Sequence, residues 1–327
     1  MRVTQPAQIF IAPDVYRIGI INRSVASEKN KTLDKIDKIL SLEGLNLDKE
    51  GAEHAIIGLS DELGLGNRFE QVKIIEGQQE FEKGLGVFPS ALSWESIEKL
   101  CKENDVDVIF SLEFYDTDTA VNYEMAIVNI PNNLGIKVAV PGHRIELNTV
   151  IKNGWRVYNP VGRVIVDEFI ANDFVVSRGE GINPVKALEA IIGRKEAVMG
   201  ISSSLGINYG RFTKPERIRV ARDYFVRGTD NFKIAKRRAQ TGDWEGAAEL
   251  WQSELNNRKV KVAGRAYYNM AISNEINGDL DRAIELASKS YSDYGNKEGL
   301  RYVNMLRNRR IEKQVLENQL SKLDFNE

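Results

Sequence analysis

Polar side chains follow the first apolar run of the chain, at a place where a ligand could be held. Asn22, Arg23 and Ser24 come at the end of the predicted buried strand Tyr16–Asn22. The carboxyl ends of strands line the ligand crevice in open α/β sheets, so Arg23 is placed to bind an anionic group with Asn22 and Ser24 as hydrogen-bond partners. The alternative is that Arg23 pairs with a carboxylate of the protein itself. Glu113, a lone carboxylate on a second apolar strand, is either an acid with a perturbed pKa or a residue that meets an arginine or the sheet edge.

Two adjacent carboxylates, Asp167 and Glu168, indicate a second chemistry, the hydrolysis of envelope glycans. Glycosidases use two carboxylates near a stacking ring, and Trp155 and Tyr158 are close in the sequence. On a strand, however, adjacent residues point to opposite faces, so without a bulge these carboxylates cannot flank one glycosidic bond. We therefore expect a protein that is not an enzyme, with a glycan hydrolase as the alternative.

The sequence supplies few ligands for a metal or a cofactor. Cys101 is the only cysteine, which excludes an intrachain disulfide framework and a multi-cysteine zinc or iron–sulfur site. His54 and His143 lie far apart in the sequence. Asp116 and Asp118 alternate as ligands of a hard cation do, but no further acidic ligand follows at a suitable spacing, so we expect solvated loop carboxylates. The prediction is no metal and no cofactor.

The composition is that of an ordinary globular protein with two domains. Of 327 residues, 42% are hydrophobic and 28% are charged, and the formal net charge is −2. No overall basic field attracts nucleic acid, and no apolar run approaches the roughly 18 residues that cross a bilayer. The chain is net acidic before residue 213 and net basic after it, and the apolar periodicity changes at the same place. These shifts predict domains 1–212 and 213–327.

The first domain is predicted to be α/β, with a mixed sheet and an antiparallel β extension. The apolar strands Tyr16–Asn22 and Val106–Tyr115 alternate with amphipathic helices. From about residue 123 to 176, β-branched and aromatic segments are separated by turn signals, which predicts an antiparallel meander. These signals are Asn132-Asn133, Asn153-Gly154 and Asn159–Gly162.

The second domain contains an internal repeat of helical pairs. The segment Gly242–Leu250 aligns with Gly278–Leu286 at an offset of 36 residues. In each copy the glycine permits a tight exit from one helix, and the aspartate after it caps the next helix. Thr213 and Glu216 have the spacing of a capping box around Pro215. The chain from residue 213 onward is therefore predicted to be all helix.

Residues 266–286 resemble a tetratricopeptide repeat. The matching positions are Tyr267, Met270, Ala271, Gly278, Leu280 and Ala283. In such arrays the inner face of the first helices lines a concave groove that binds segments of partner proteins. The resemblance implies that this face carries Phe232, Lys236, Arg237, Arg265, Tyr268, Ile272 and Glu275. The alternative is that a two-unit array is too short for a groove and packs on the first domain instead.

Several stretches together resemble a family of uncharacterised outer-membrane lipoproteins from Bacteroides-type bacteria. They are Pro6-Ala7, Arg17–Ser24, Val106–Glu113, Gly154–Tyr158, Asp167-Glu168, Arg222–Phe225 and Gly242–Trp244. The resemblance implies a lipidated cysteine upstream of this sequence and a location at the periplasmic face of the outer membrane. The alternative location is the cytoplasm, because the sequence starts without an export signal. The expected function is that of a non-enzymatic interaction or assembly lipoprotein of the cell envelope, with a protein partner and no nucleic acid.

Overall fold

The contacts of the chain divide it into two compact units. The computed structural model describes residues 1–24, 35–77, 87–131 and 136–324. Residues 8–214 form one unit, which we call the sheet unit. Residues 1–7 and the chain from Pro215 onward form the other, which we call the helical unit. Among the described helices, none has the length and apolar character needed to cross a membrane.

The described residues contain strands and helices that alternate first and are mainly helical at the end. The strands are β1 (Arg2–Gln5), β2 (Arg17–Asn22), β3 (Gln71–Ile74), β4 (Val108–Pro131), β5 (Lys137–Asn159), β6 (Val164–Gly181) and β7 (Glu216–Arg219). The helices are α1 (Lys35–Gly64), α2 (Trp94–Asn104), α3 (Pro184–Glu189), α4 (Arg194–Arg211), α5 (Asp230–Gln240), α6 (Trp244–Gln252), α7 (Val260–Ile276), α8 (Leu280–Ser292) and α9 (Lys297–Asp324).

The sheet unit is built on one mixed sheet. Its strand order is β3-β2-β4-β5-β6. Strand β2 is parallel to β3 and β4, whereas β5 is antiparallel to both β4 and β6. The predicted mixed α/β architecture of this region is therefore confirmed, and so is the helical character of most of the region after residue 213.

One face of the sheet packs against the paired helices α1 and α4. Phe110 and Trp155 from the sheet are fully buried against Tyr209 of α4. The two helices cross closely at Gly206, where an added Cβ would lie 1.9 Å from the carbonyl oxygen of Ala55. Since that neighbour is backbone, any larger side chain at Gly206 would force the helices apart.

The two central strands are longer than the sequence predicts. Strands β4 and β5 pair as far as Pro131 and Lys137. Asn153-Gly154 lies inside β5, so the turn predicted there is wrong. An added Cβ on Gly154 would lie 2.1 Å from the ring of Phe114, so this glycine serves a close cross-strand contact. Asp116 and Asp118 likewise lie within β4 and not in a loop.

The turn predicted at Asn159–Gly162 is confirmed between β5 and β6. Gly162 has a φ of +81°, in the left-handed region that favours glycine. The turn signal Asn132-Asn133 lies outside the described residues.

The helical unit contains antiparallel helix pairs α5–α6 and α7–α8, with α9 packed on α8. The predicted glycine–aspartate steps are confirmed in both pairs. Gly242 and Gly278 have φ values of +87° and +85°. Asp243 and Asp279 each accept a hydrogen bond of 2.9 Å from the N–H three residues on, and so cap α6 and α8.

The predicted helix start at Thr213 and Glu216 is wrong. Residues Glu216–Arg219 form β7, which pairs antiparallel with Arg2–Gln5. The side chain of Gln319 on α9 also binds the N–H and the C=O of Ala7, at 2.9 and 3.0 Å. The local sequence around residue 216 does not show that it pairs with a strand from the other end of the chain. The capping-box spacing was therefore the signal on which the prediction rested.

Candidate functional site

The face of α7 predicted to bind a partner holds a segment of the chain itself. Residues 220–228, between β7 and α5, lie along this helix in neither helical nor strand conformation. The side-chain amide of Asn269 donates to the C=O of Phe225 at 2.7 Å and accepts from its N–H at 2.8 Å. The guanidinium of Arg265 donates to the C=O of Arg227 at 2.6 Å and lies 5.0 Å from the centre of the Phe225 ring. We call residues 220–228 the bound segment.

Glu275 anchors the bound segment through a buried ionic cluster. Its carboxylate accepts two hydrogen bonds from Arg222 at 2.7 and 2.8 Å, one from the hydroxyl of Tyr302 at 2.5 Å, and one from Arg309. Burial raises the pKa of the Glu275 carboxyl, but the hydrogen bonds from Arg222 and Tyr302 outweigh burial, and the net pKa lies below its ordinary value. Burial raises the pKa of the Tyr302 hydroxyl, which therefore stays a proton donor.

Three of the predicted partner-facing residues belong to the interior. Phe232 and Ile272 are 0% exposed and Glu275 is 1% exposed. Phe232 packs in the same cluster as Trp251, between the helices of the first pair. The prediction for these three residues is wrong, because it took their positions from open arrays, whereas here helix packing and the bound segment cover them.

The remaining predicted residues lie at or near the surface. Lys236 and Arg237 are exposed on α5. Arg265 and Tyr268 are partly exposed, and both contact Phe225 of the bound segment. Lys236 and Arg237 are thus accessible to a partner, whereas Arg265 and Tyr268 are accessible only in part, and Tyr268 also borders a cavity.

An open cavity of about 420 Å³ lies between the bound segment, α7 and α9. It is lined by Ala221, Arg222, Asp223, Tyr224, Phe225, Tyr268, Glu298, Arg301, Tyr302 and Met305. The ring of Tyr268 packs 5.2 Å from that of Phe225 and 5.2 Å from that of Tyr302. Glu298 and Arg301 form an exposed ion pair at 2.9 Å. Aromatic walls beside charged groups suit a large side chain from another protein.

The predicted ligand site at Arg23 is a buried ion-pair network in the sheet unit. Arg23 is 2% exposed and pairs with Glu113, which is 0% exposed. The hydroxyl of Tyr158 donates to Glu113 at 2.8 Å. Arg156 lies 3.4 Å from Glu113 and 2.6 Å from Glu168. The interpretation that Arg23 pairs with a carboxylate of the protein is confirmed.

A β-bulge aims Glu113 into this network. The register of β4 and β5 shifts between Leu112 and Phe114, which leaves Glu113 without a partner residue on β5. The carbonyl oxygens of Ser90 and Pro89 accept from Arg23 at 3.2 Å and from Arg156 at 3.3 Å. Burial raises the pKa of the Glu113 carboxyl above its ordinary value, although both arginines oppose the rise.

The other members of the predicted ligand site bind each other. The side-chain oxygen of Asn22 accepts from the N–H of Ser24 at 2.9 Å and from its hydroxyl at 2.6 Å. Since Arg23 turns inward to Glu113, these three residues do not present a joint anion site. This corrects the expectation of a ligand at Asn22–Ser24.

Asp167 and Glu168 point to opposite faces of β6. Asp167 accepts from the hydroxyl of Tyr209 on α4 at 2.9 Å, whereas Glu168 pairs with Arg156 in the network on the other face. The paired carboxylates that a glycan hydrolase requires at these positions are therefore not formed. Within the described ranges, no group of three or more histidine, cysteine, aspartate or glutamate side chains could hold a metal ion.

Sequence reasoning missed Asn269 and Arg222, which fasten the bound segment. Asn269 is fully buried on α7, three residues from both Ala266 and Ile272, and a polar residue at the helical spacing of these apolar positions was an available signal. Arg222 begins the stretch Arg222–Phe225, which the lipoprotein resemblance includes, but no local pattern indicated that this stretch lies against α7.

Comparison with known families assigns most of the chain. Residues 15–225, more than half of the sequence, match a domain of unknown function, DUF8603. The chain belongs to the DUF8603 family. Residues 233–308 match a second domain of unknown function, DUF6340, which covers the helix pairs described above. None of the curated proteins matches this DUF8603 member.

Solved structures show only loose likeness. A PelC dodecamer from Paraburkholderia phytofirmans is 9% identical with a TM-score of 0.27, and the match covers 64% of this chain and 91% of that one. A putative neuraminyllactose-binding hemagglutinin homolog from Helicobacter pylori is 13% identical with a TM-score of 0.26, covering 62% of this chain and 94% of that one. Scores this low transfer no property of either protein to this family member.

Proposed function

We propose that this protein is a non-enzymatic interaction protein whose helical unit binds a segment of a protein partner at the cavity of about 420 Å³. The observation that carries the proposal is the way α7 holds the bound segment. Asn269 pairs with both backbone groups of Phe225, which is how a groove binds extended peptide whatever its side chains. The cavity continues this peptide-binding face toward α9 and is open to solvent.

The helical unit is, in this proposal, tetratricopeptide-like. Support comes from the repeated glycine–aspartate steps and from Ala247 and Ala283, both 0% exposed, which let the helices of each pair approach closely. The faces of such arrays bind extended or helical partner segments. With two helix pairs and α9, the chain has a short array, so the cavity rather than a long groove is the proposed point of contact.

We further propose that the protein works at the cell envelope as a lipoprotein. The support is the resemblance in segments such as Arg17–Ser24 and Arg222–Phe225. The test is to express the natural gene with its upstream sequence, label the cells with radioactive palmitate and fractionate them. We expect labelled protein in the outer-membrane fraction. Unlabelled protein in the cytosol would refute the envelope location.

The binding proposal is tested with a charge reversal at the rim of the cavity. Arg301→Glu changes an exposed residue of α9 that lines the cavity. Arg307→Glu is the matched control, an exposed arginine on the same helix outside the lining. A partner is cross-linked and purified from envelope extracts, and its affinity is then measured by calorimetry. We expect at least a tenfold loss for Arg301→Glu alone, which corresponds to about 1.4 kcal/mol. Equal affinity for both variants, or no stoichiometric partner, would refute the cavity as the binding site.

A further inference from the structure

Strands β4 and β5 extend beyond the rest of the sheet as a two-stranded ribbon. Their pairing continues to Pro131 and Lys137, whereas the pairing of β5 with β6 ends at His143 and Gly181. Residues 126–131 and 137–142 therefore lie past the last paired residue of β6, and Met125 and His143 form the pair at which it ends. We call residues 125–131 and 137–143 the ribbon.

The ribbon exposes large apolar side chains on one of its faces. Met125 is 80% exposed and Ile127 is 64% exposed. Tyr123, just below the ribbon on β4, is 50% exposed, and the alternate positions of these residues place them on the same face. Ile127 pairs with Pro141 across the ribbon. A shallow, open cavity of about 370 Å³ lies between residues 125–127 and 141–143. Within the described part of the chain, these side chains form a contiguous apolar surface.

Charged side chains are scarce over the same stretch. Residues 125–143 contain a single charged side chain, Lys137, and no acidic one, in a chain that is 28% charged. The charged region resumes at once below the ribbon, where Arg144 pairs with Glu124 at 2.7 Å and with Glu180 at 2.8 Å. The ribbon is thus an apolar, acid-free end on a charged base.

We propose that the apolar face of the ribbon binds the surface of a lipid bilayer. Apolar side chains beside a charged base are the composition with which elements lie in the membrane interface, where aromatic residues such as Tyr123 sit at headgroup level. The unpaired backbone edges of a two-stranded ribbon need hydrogen-bond partners, which water and headgroups supply at that depth but the acyl core does not. The absence of acidic side chains removes repulsion from anionic headgroups.

A lipid surface fits this face better than a protein does. Protein interfaces surround an apolar centre with a polar rim that forms hydrogen bonds to the partner. The face formed by Met125 and Ile127 lies beyond the Glu124–Arg144 pair, and within residues 125–143 the sole charged side chain is Lys137. This inference is independent of the partner-binding cavity, because it concerns only the sheet unit.

The test is flotation of the full chain with phosphatidylcholine vesicles. We expect the wild type to float with the vesicles, and the double variant Met125→Glu, Ile127→Glu to lose at least tenfold in partitioning. The matched control is Ile170→Glu, Phe174→Glu, which changes residues of β6 that are 52% and 60% exposed and lie off the ribbon. We expect the control to bind like the wild type. All four changed residues are exposed, and circular dichroism verifies that each variant folds.

Four results would overturn the proposal. The first is wild-type protein that does not float with the vesicles. The second is a control variant that loses as much partitioning as Met125→Glu, Ile127→Glu does. The third is a stable dimer in light scattering that Met125→Glu, Ile127→Glu dissolves, since this would assign the face to a second copy of the chain. Flotation that needs anionic lipid and vanishes in high salt would likewise refute apolar contact, because it would rest on Lys137 alone.

Discussion

Glu113 in the sheet unit and Glu275 in the helical unit are buried among the same kinds of groups, yet their pKa values move in opposite directions. Each carboxylate is met by two arginines and one tyrosine. The groups are Arg23, Arg156 and Tyr158 for Glu113, and Arg222, Arg309 and Tyr302 for Glu275. The pKa is raised at Glu113 and lowered at Glu275.

The difference lies in how many charged hydrogen bonds each carboxylate accepts. Arg222 gives Glu275 two hydrogen bonds, whereas Arg156 lies 3.4 Å from Glu113 and directs its shorter contact, 2.6 Å, to Glu168. Burial disfavours the ionised form of both carboxylates. The hydrogen bonds to Glu275 outweigh this cost, whereas those to Glu113 do not. The residue types around a buried glutamate therefore do not by themselves decide whether its ionised form is favoured. The geometry of its donors does.

The largest expected effect is that of Glu275→Gln. The amide removes the charge that Arg222, Tyr302 and Arg309 bind, so we expect the helical unit to lose about 3 kcal/mol of unfolding free energy. Hydrogen exchange of peptides from α7 and α9, followed by mass spectrometry, measures this loss. Glu298→Gln, an exposed glutamate on α9, is the control and should change stability by less than about 0.5 kcal/mol. Similar exchange in both variants would mean that the cluster does not hold the helical unit.

A smaller effect is expected for Glu113→Gln. Burial raises the pKa of the Glu113 carboxyl, so its charged form is less favoured than that of Glu275, and an amide keeps a hydrogen-bonding oxygen for Arg23. The sheet unit should therefore lose less free energy of unfolding than the helical unit loses in Glu275→Gln. Cys101, the only cysteine, is buried on α2, and its labelling by a thiol reagent in urea reports the opening of the sheet unit. A loss greater than that of Glu275→Gln would reverse the comparison.

The smallest effects concern pH and have opposite signs. The lowered pKa of Glu275 means that its contribution is complete above the ordinary value of 4.5 and is lost as pH falls through the folded-state pKa. The raised pKa of Glu113 means that its contribution declines as pH rises from 4.5 through the folded-state pKa. Acidification from pH 7 to 4 should therefore narrow the stability difference between wild type and Glu275→Gln, and widen that between wild type and Glu113→Gln. Hydrogen exchange measures the stability difference between wild type and Glu275→Gln as a function of pH, and thiol labelling measures that between wild type and Glu113→Gln. If both stability differences change in the same direction on acidification, the comparison is contradicted.

Local signals in the sequence were sufficient where short-range physics decides. Gly242 and the adjacent Asp243 indicate where one helix ends and the next is capped. Asn159–Gly162 lies between two strand patterns and so indicates a turn. The same logic failed at Asn153-Gly154, because a glycine that permits a turn also permits the ring of Phe114 to approach. One residue type served two purposes, and spacing could not distinguish them.

The candidate binding site was predicted only in outline. The repeat pointed to α7, and Tyr268 does border the cavity. The placement of Ile272 and Glu275 in the interior was missed, because it depends on the bound segment and on α9, which approach from elsewhere in the chain.

By itself the sequence determined the period of the helical pairs, the mixture of strands and helices in the sheet unit, and the glycine–aspartate steps between the helices of each pair, since each depends on neighbouring residues and backbone preference. Only the tertiary structure decided that β1 pairs with β7, that residues 220–228 lie on α7, and that two similar glutamates differ in charge preference. These outcomes depend on hydrogen bonds and burial between distant segments, and such contacts exist only after the chain has folded.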